Sequence, residues 1–119
     1  MLLFVDTDQN TRTGWLGYDI AVNRAAGGSP SRVTVEHAEG TGYRWEVVGD
    51  AARAAAGCEL ELAVPRSLLD ARAPPVGFDF KWADNIAESG EWSDFTLNGD
   101  AAPNDRFNYR ANWPVTAPP

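Results

Sequence analysis

The chain has 119 residues, of which 44% are hydrophobic and 11% aromatic, a composition that predicts one domain around a single core. Seventeen acidic against ten basic side chains give a net charge of −7, which disfavours a nucleic-acid partner. The lone cysteine, Cys58, and the lone histidine, His37, exclude an intrachain disulfide and a zinc site with several Cys and His ligands. No apolar run reaches the roughly 18 residues that cross a bilayer, so no membrane partner is predicted.

Short apolar segments separated by turn-forming residues predict an all-β fold, an antiparallel β-sandwich. The strict alternation of aromatic and charged residues in Phe78–Trp82 is typical of a pleated strand with three rings on one face. Asn98-Gly99 predicts a turn because both residues tolerate positive φ. The predicted strands are Leu2–Asp6, Tyr18–Asn23, Arg32–His37, Tyr43–Val48, Glu59–Val64, Phe78–Asp84, Ser93–Leu97 and Arg106–Arg110.

Four other segments have a composition of their own. Asp50–Ala56 contains five alanines, and intrinsic propensity alone favours a helix there. Pro65–Leu69 predicts a short proline-started turn. Ala71–Pro75 resembles a connector, and Val115–Pro119 a tail that joins modules of a longer protein. We therefore expect a domain over 1–113 and a Pro-rich tail or linker over 114–119, with further strands upstream of Met1.

The loop after the first strand predicts a calcium site. Asp6, Asp8 and Asn10 place oxygen-bearing side chains at alternate positions, Gly14 lets the backbone fold back, and Asp19 could close the cage. Ca²⁺ takes roughly six to eight oxygen ligands, a demand that carboxylates, an amide and backbone carbonyls can meet. The crowded acidic side chains repel one another until a cation neutralises their charge. We therefore expect the ion to have a structural role.

The loop has two alternative interpretations. It is not an EF-hand, because Thr11 stands where that loop needs glycine and Gly17 where it needs glutamate. The alternative that stays open is a solvated loop in which Asp8 and Asn10 form Asx turns and bind no ion.

The five tryptophans divide into core and loop residues. Trp45 and Trp82 share strand faces with other apolar residues, which predicts core packing. Trp15 and Trp92 lie in loop contexts where a large ring is expected to be exposed unless something covers it, and Trp113 is a weaker third candidate. An exposed indole can stack on the apolar face of a sugar ring whose hydroxyls need polar partners. The predicted ligand-binding residues are Trp15, Trp92, Asn85 and Arg106.

The sequence also resembles a family along most of its length. The segments that carry the resemblance are Phe4–Asp19, Glu59–Pro65, Phe80–Asn85, Asp94–Pro103 and Arg106–Tyr109. They are similar to β-sandwich domains grouped with family 9 carbohydrate-binding modules and the wider DOMON-like superfamily.

The resemblance implies a jelly-roll-like sandwich, a structural Ca²⁺ near the first long loop, and non-catalytic glycan binding. It also favours a strand over Arg53–Ala56, hairpinned to Glu59–Val64, against the helix propensity of that segment. Such domains usually begin with strands upstream of the acidic loop. A sheet without those strands would expose an edge, which predicts pairing with a second chain as a homodimer.

An enzyme is the least favoured of the hypotheses. Glycosidases need two carboxyl groups in a cleft, and Glu88, Glu91 and Asp94 are the best candidates, yet loop charge exposed to solvent explains them more simply. We expect a calcium-stabilised, non-catalytic carbohydrate-binding module of a larger bacterial polysaccharide-active protein, extracellular or periplasmic. The alternatives are an accessory β-sandwich domain without glycan binding and a small polysaccharide-degrading enzyme.

Overall fold

The computed structural model describes residues 1–24, 29–69, 76–84, 100–103 and 107–113. Within them it contains eight strands and one short 3-10 helix, Arg66–Leu69. The strands are β1 (Leu2–Asp6), β2 (Ile20–Val22), β3 (Arg32–Ala38), β4 (Trp45–Ala56), β5 (Glu59–Ala63), β6 (Val76–Asp84), β7 (Asp100–Ala102) and β8 (Tyr109–Trp113). No helix among these residues is long and apolar enough to span a membrane.

The strands of the described residues all pair antiparallel, which confirms the predicted all-β antiparallel fold. They form one continuous curled sheet in the order β5-β4-β3-β2-β1-β6-β7, and β8 also pairs with β6. The two last strands share one edge of β6, since β7 pairs with Trp82–Asp84 and β8 with Val76–Phe80. The first and last parts of the chain therefore meet at β1 and β6.

Most predicted strands agree with the structure. β1 has the predicted bounds, and the alanine-rich segment belongs to β4, whose Arg53–Ala56 end pairs with β5 as predicted. Sheet partners on both sides of β4 outweigh the helix propensity of its alanines. The predicted strand Ser93–Leu97, the Asn98-Gly99 turn and the 114–119 tail lie outside the described residues.

The two faces of the sheet carry different hydrophobic clusters, because successive side chains of a strand point to opposite faces. On one face an aliphatic cluster joins β1, β2, β3 and β4, with Phe78, Phe80 and Leu68 packed against it. On the other face an aromatic cluster surrounds Phe4. The aliphatic cluster consists of Val5, Ile20, Val22, Val33, Val35 and Ala51, and the aromatic cluster of Phe4, Trp15, Tyr18, Ala21 and Ala83.

Buried charged residues lie on the aromatic face. Lys81 is the cross-strand partner of Phe4, and Glu36 that of Ala21. Asp6 lies two residues after Phe4 on β1 and therefore shares its face. The Lys81 Nζ donates hydrogen bonds to the carbonyl oxygens of Pro103 (2.6 Å) and Phe107 (2.7 Å). This lysine therefore ties the segments that follow β7 and precede β8 to the centre of β6.

Candidate metal centre

The acidic loop lies between β1 and β2, where three carboxylates are held by backbone and hydroxyl groups. Asp6 is the last residue of β1, and Asp19 directly precedes β2, with its N–H donating to the Val5 carbonyl at 2.8 Å. The Thr7 N–H and Oγ1 both donate to Asp19 Oδ2, at 3.0 and 3.1 Å. These hydrogen bonds join the two ends of the loop without the help of an ion.

A two-residue turn within the loop folds its aromatic residues back onto the sheet. The backbones of Trp15 and Tyr18 exchange two hydrogen bonds of 2.9 and 2.8 Å, and Leu16 and Gly17 between them both have positive φ. Gly14 is required just before it, because a Cβ there would lie 2.1 Å from the Tyr18 carbonyl oxygen. This turn brings Asp19 back to Asp6 and Asp8.

The structure brings together three of the four predicted metal-binding residues as a carboxylate cluster. Asp6, Asp8 and Asp19 each offer an oxygen, and these oxygens all lie within 4.8 Å of one another. Two ligands that are each about 2.4 Å from a shared Ca²⁺ can be at most about 4.8 Å apart, so three oxygens within this distance could share one such ion. Asp6 and Asp19 are buried, whereas Asp8 is exposed and offers access from solvent.

Asn10, the fourth predicted ligand, organises the backbone of the loop. Its N–H donates to Asp6 Oδ1 and to Asp8 Oδ1, both at 3.1 Å, and its own Oδ1 accepts from the Arg12 N–H at 3.0 Å. Asp8 and Asn10 therefore form the Asx turns of the alternative interpretation. The same turns hold Asp8 beside Asp6, so they are compatible both with a solvated loop and with a loop that binds an ion.

Thr7 and Thr13 hydrogen-bond to the carboxylates of the cluster, a role that the sequence interpretation did not assign to them. The Thr13 hydroxyl lies 2.9 and 2.8 Å from the two carboxylate oxygens of Asp8, and 3.0 Å from the Asn10 carbonyl oxygen. Both threonines lie between the acidic residues in sequence, which is the signal that could have identified them. They fix the orientation of Asp8 and Asp19, as hydrogen-bonding neighbours of metal ligands do.

The pKa values of the cluster reflect burial first and crowding of like charge second. Burial, the hydrogen bond with Asp8 and the charge of Asp19 raise the pKa of Asp6 to about 7. At Asp8 burial opposes the shift, but hydrogen bonds from Asp6 and Thr13 lower the pKa. Burial and the charge of Asp8 raise the pKa of Asp19, against the hydrogen bonds from Thr7. A divalent cation would remove this repulsion.

A fourth carboxylate, Asp79, lies opposite Asp6 in the β1–β6 ladder but already has a cationic partner. The Arg110 guanidinium binds it through two hydrogen bonds, from Nε at 2.8 Å and from a terminal nitrogen at 3.1 Å. This bidentate pair directs Arg110 to Asp79.

The predicted exposure of Trp15 is wrong. Its ring is only 4% exposed and packs against Phe4, Tyr43 and Tyr18, with ring centroids 5.4, 4.6 and 6.2 Å away. The tight turn at Leu16-Gly17 places the indole in the aromatic cluster, so its face is covered by protein. The other predicted ligand-binding residues, Asn85, Trp92 and Arg106, lie outside the described residues, as do Glu88, Glu91 and Asp94.

The two tryptophans assigned to the core have different surroundings. Trp45 packs its ring against Phe4 and Trp15, as predicted. Trp82 is half-buried, but neither hydrophobic cluster of the described residues includes it, and it lines a surface cavity instead.

Comparison of the chain with protein-family models, with curated proteins and with solved structures found no match.

Proposed function

We propose that this chain is a non-catalytic, calcium-stabilised β-sheet module that binds carbohydrate. The observation that supports the calcium part is the cluster of Asp6, Asp8 and Asp19, whose carboxylate oxygens lie within 4.8 Å of one another. The carbohydrate part follows from the resemblance of the sequence to carbohydrate-binding β-sandwich domains.

The donor set favours calcium over softer metals. The cluster offers carboxylate oxygens, and the loop adds hydroxyl and carbonyl oxygens at Thr13 and Asn10. Hard cations prefer such oxygen ligands, whereas zinc and copper favour sulfur and imidazole nitrogen. Asp6, Asp8 and Asp19 would hold the ion, with the Asn10 amide or a loop carbonyl to complete the ligand set.

The bound ion would have a structural role. It would neutralise carboxylates that burial and mutual repulsion otherwise disfavour, and would fasten the end of β1 to the start of β2. Since β1 and β2 lie at the centre of the sheet, this link would stabilise the whole domain.

An accessory domain without glycan binding is the second candidate, and the burial of Trp15 favours it. Of the two tryptophans that the sequence predicts as sugar platforms, this one is part of the core. Such a domain would keep the calcium loop as a stabilising element and would bind no polysaccharide.

Thermal unfolding in EDTA and in calcium tests the calcium part. We expect millimolar Ca²⁺ to raise the melting temperature of the wild-type protein by several degrees, because an ion that binds only the folded state stabilises it. Asp8→Asn should abolish this shift. Asp50→Asn is the matched control, since Asp50 is an exposed carboxylate paired with Arg32 on the other side of the sheet centre. An equal shift in all three proteins, or none in the wild type, would contradict the proposal.

Native electrophoresis in gels that contain polysaccharide tests the carbohydrate part. We expect at least one of hydroxyethylcellulose, xylan, galactomannan and laminarin to retard the wild-type protein. Retardation by none of them would favour the accessory domain, and the calcium result would still stand on its own.

A further inference from the structure

We propose that the cavity beside Trp82, at the β6–β7 edge, is a carbohydrate-binding subsite in which Asp84 and Asp100 accept hydrogen bonds from sugar hydroxyls. This inference rests on the proposed function and assigns it a place in the molecule.

The cavity has a volume of about 150 Å³. It is lined by Met1, Trp82, Ala83, Asp84, Asp100, Ala101 and Ala102. Ligand pockets for drug-sized molecules are larger, roughly 300–1,000 Å³, so this space suits a single ring of a polysaccharide rather than a fully enclosed oligosaccharide.

Pairing of β6 with β7 places the indole and both carboxylates on one face. Trp82 and Asp84 are two residues apart on β6, and Asp100 lies directly opposite Asp84 on β7. Residues two apart on a strand, and cross-strand partners, share a face of the sheet. The half-buried indole and two exposed carboxylates therefore line one cavity. The Met1 ammonium lies 3.7 Å from Asp84 Oδ1, and a carboxylate with such a partner can still accept a hydrogen bond from a sugar hydroxyl.

This combination matches the chemistry of a sugar ring. The apolar C–H face of a sugar can stack on an indole, and its hydroxyl groups can donate to carboxylates in charge-assisted hydrogen bonds. Small-ligand sites commonly combine such an apolar wall with a few polar groups that fix orientation. Trp82 is half-buried and lines this cavity, so part of its surface borders the space that a sugar ring would occupy.

The subsite is separate from the calcium loop. Trp82 and Asp84 lie on the face of β6 that carries Phe80, whereas Asp6 lies on the opposite face, shared with Lys81 and Phe4. Substitutions at the cavity can therefore be tested while calcium binding serves as a measure of correct folding.

The test uses the polysaccharide gels described above with Trp82→Ala, Trp82→Phe and the double variant Asp84→Asn/Asp100→Asn. Phe107→Ala is the matched aromatic control, since this ring is 73% exposed outside the cavity, and Asp50→Asn is the matched carboxylate control. Each mobility is divided by that of the same variant in a gel without polysaccharide, because the Asn substitutions change net charge.

We expect Trp82→Ala and the double Asn variant to weaken retardation about tenfold or more, Trp82→Phe to weaken it less, and both controls to match the wild type. If the wild type is retarded and the cavity variants are retarded equally, the subsite is wrong while the proposed function stands. If no polysaccharide retards the wild type, both fail.

If Trp82→Ala does not fold, as judged by loss of a cooperative thermal unfolding transition, the double variant Asp84→Asn/Asp100→Asn decides the question. Wild-type affinity of this double variant would overturn the proposal, and loss of affinity with a normal unfolding transition would support it.

Discussion

The two faces of the sheet bury their residues by different means. The aliphatic face is formed by valines, an isoleucine and an alanine, and its stability depends on the removal of apolar surface from water. The aromatic face buries Asp6, Asp19, Glu36 and Lys81 beside its rings, and each of these polar groups needs a partner.

This difference predicts where the protein is sensitive to its surroundings. Burial of apolar groups depends little on pH, metal ions or single charges, whereas a buried charge is costly as soon as its partner is lost. We therefore expect the aromatic face to respond to charge substitutions, pH and calcium, and the aliphatic face to respond mainly to changes in volume.

The largest effect on the free energy of unfolding is expected at Trp15, which the sequence predicts as a ligand platform and which the structure places in the core. Trp15→Ala should lower the free energy of unfolding by about 4 kcal/mol, because it removes a ring that contacts Phe4, Tyr18 and Tyr43. Phe107→Ala, which removes a 73% exposed ring, should change it by less than about 0.5 kcal/mol. Urea denaturation measures both, and equal small effects would show that Trp15 is not a core residue.

The second prediction concerns the chain's one lysine. Lys81→Met keeps most of the side-chain volume but leaves the Pro103 and Phe107 carbonyl oxygens without its ammonium donor, at a cost of roughly 3 kcal/mol. Ile20→Val on the aliphatic face removes a single methylene and should cost about 1 kcal/mol. A Lys81→Met protein as stable as the wild type would show that apolar burial alone sustains both faces.

Two arginine–carboxylate pairs separate buried from exposed charge. Arg24 pairs with Glu36, whose side chain is 3% exposed, while Arg32 pairs with Asp50 at the surface. Arg24→Gln should cost roughly 2–3 kcal/mol, below the usual range for a wholly buried pair because Arg24 is a quarter exposed. Arg32→Gln should leave the denaturation midpoint unchanged. Equal effects of the two substitutions would contradict the distinction between buried and exposed charge.

The acidic loop should make stability depend on pH when calcium is removed. The pKa of Asp6 is about 7 in the folded protein against an ordinary value of 3.8, so the folded state keeps a proton that the unfolded chain has lost. Unfolding then releases a proton, and stability falls as pH rises from about 4 to about 7. Asp19, whose pKa is also raised, acts in the same direction.

In EDTA we therefore expect the melting temperature at pH 7.5 to be a few degrees below that at pH 5. Calcium should remove most of the difference, because the bound ion favours the ionised carboxylates. Asp6→Asn should remove the part due to this residue. A melting temperature that rises with pH in EDTA would contradict the assignment.

The sequence predicted the fold well where a strand pattern is local. The continuous apolar run Leu2–Val5 and the aromatic–charged alternation in Phe78–Trp82 are both typical of strands, and both segments are strands. The alanine-rich end of β4 could be assigned only through its expected partner, since intrinsic propensity favours a helix while pairing with β3 and β5 makes it a strand.

The part of the candidate site that depends on residues close together in sequence was also predictable. Alternate spacing of Asp6 and Asp8 in the sequence was enough to place their side chains together, and the expected return of the chain brought in Asp19. The burial of Trp15 depends on a turn with positive φ at Leu16. Leucine seldom adopts this conformation, so the sequence of the loop does not predict the turn. The cavity at Trp82 depends on the register of β6 with β7, which joins residues far apart in the chain.

Isothermal titration of the calcium-free protein with Ca²⁺ at pH 7.5 tests the central claim most directly. The account predicts saturable binding of one ion per chain in the wild type and in Asp50→Asn, and no saturable heat in Asp8→Asn or Asp19→Asn. Binding that is equally strong in all four proteins, or absent from the wild type, would contradict it.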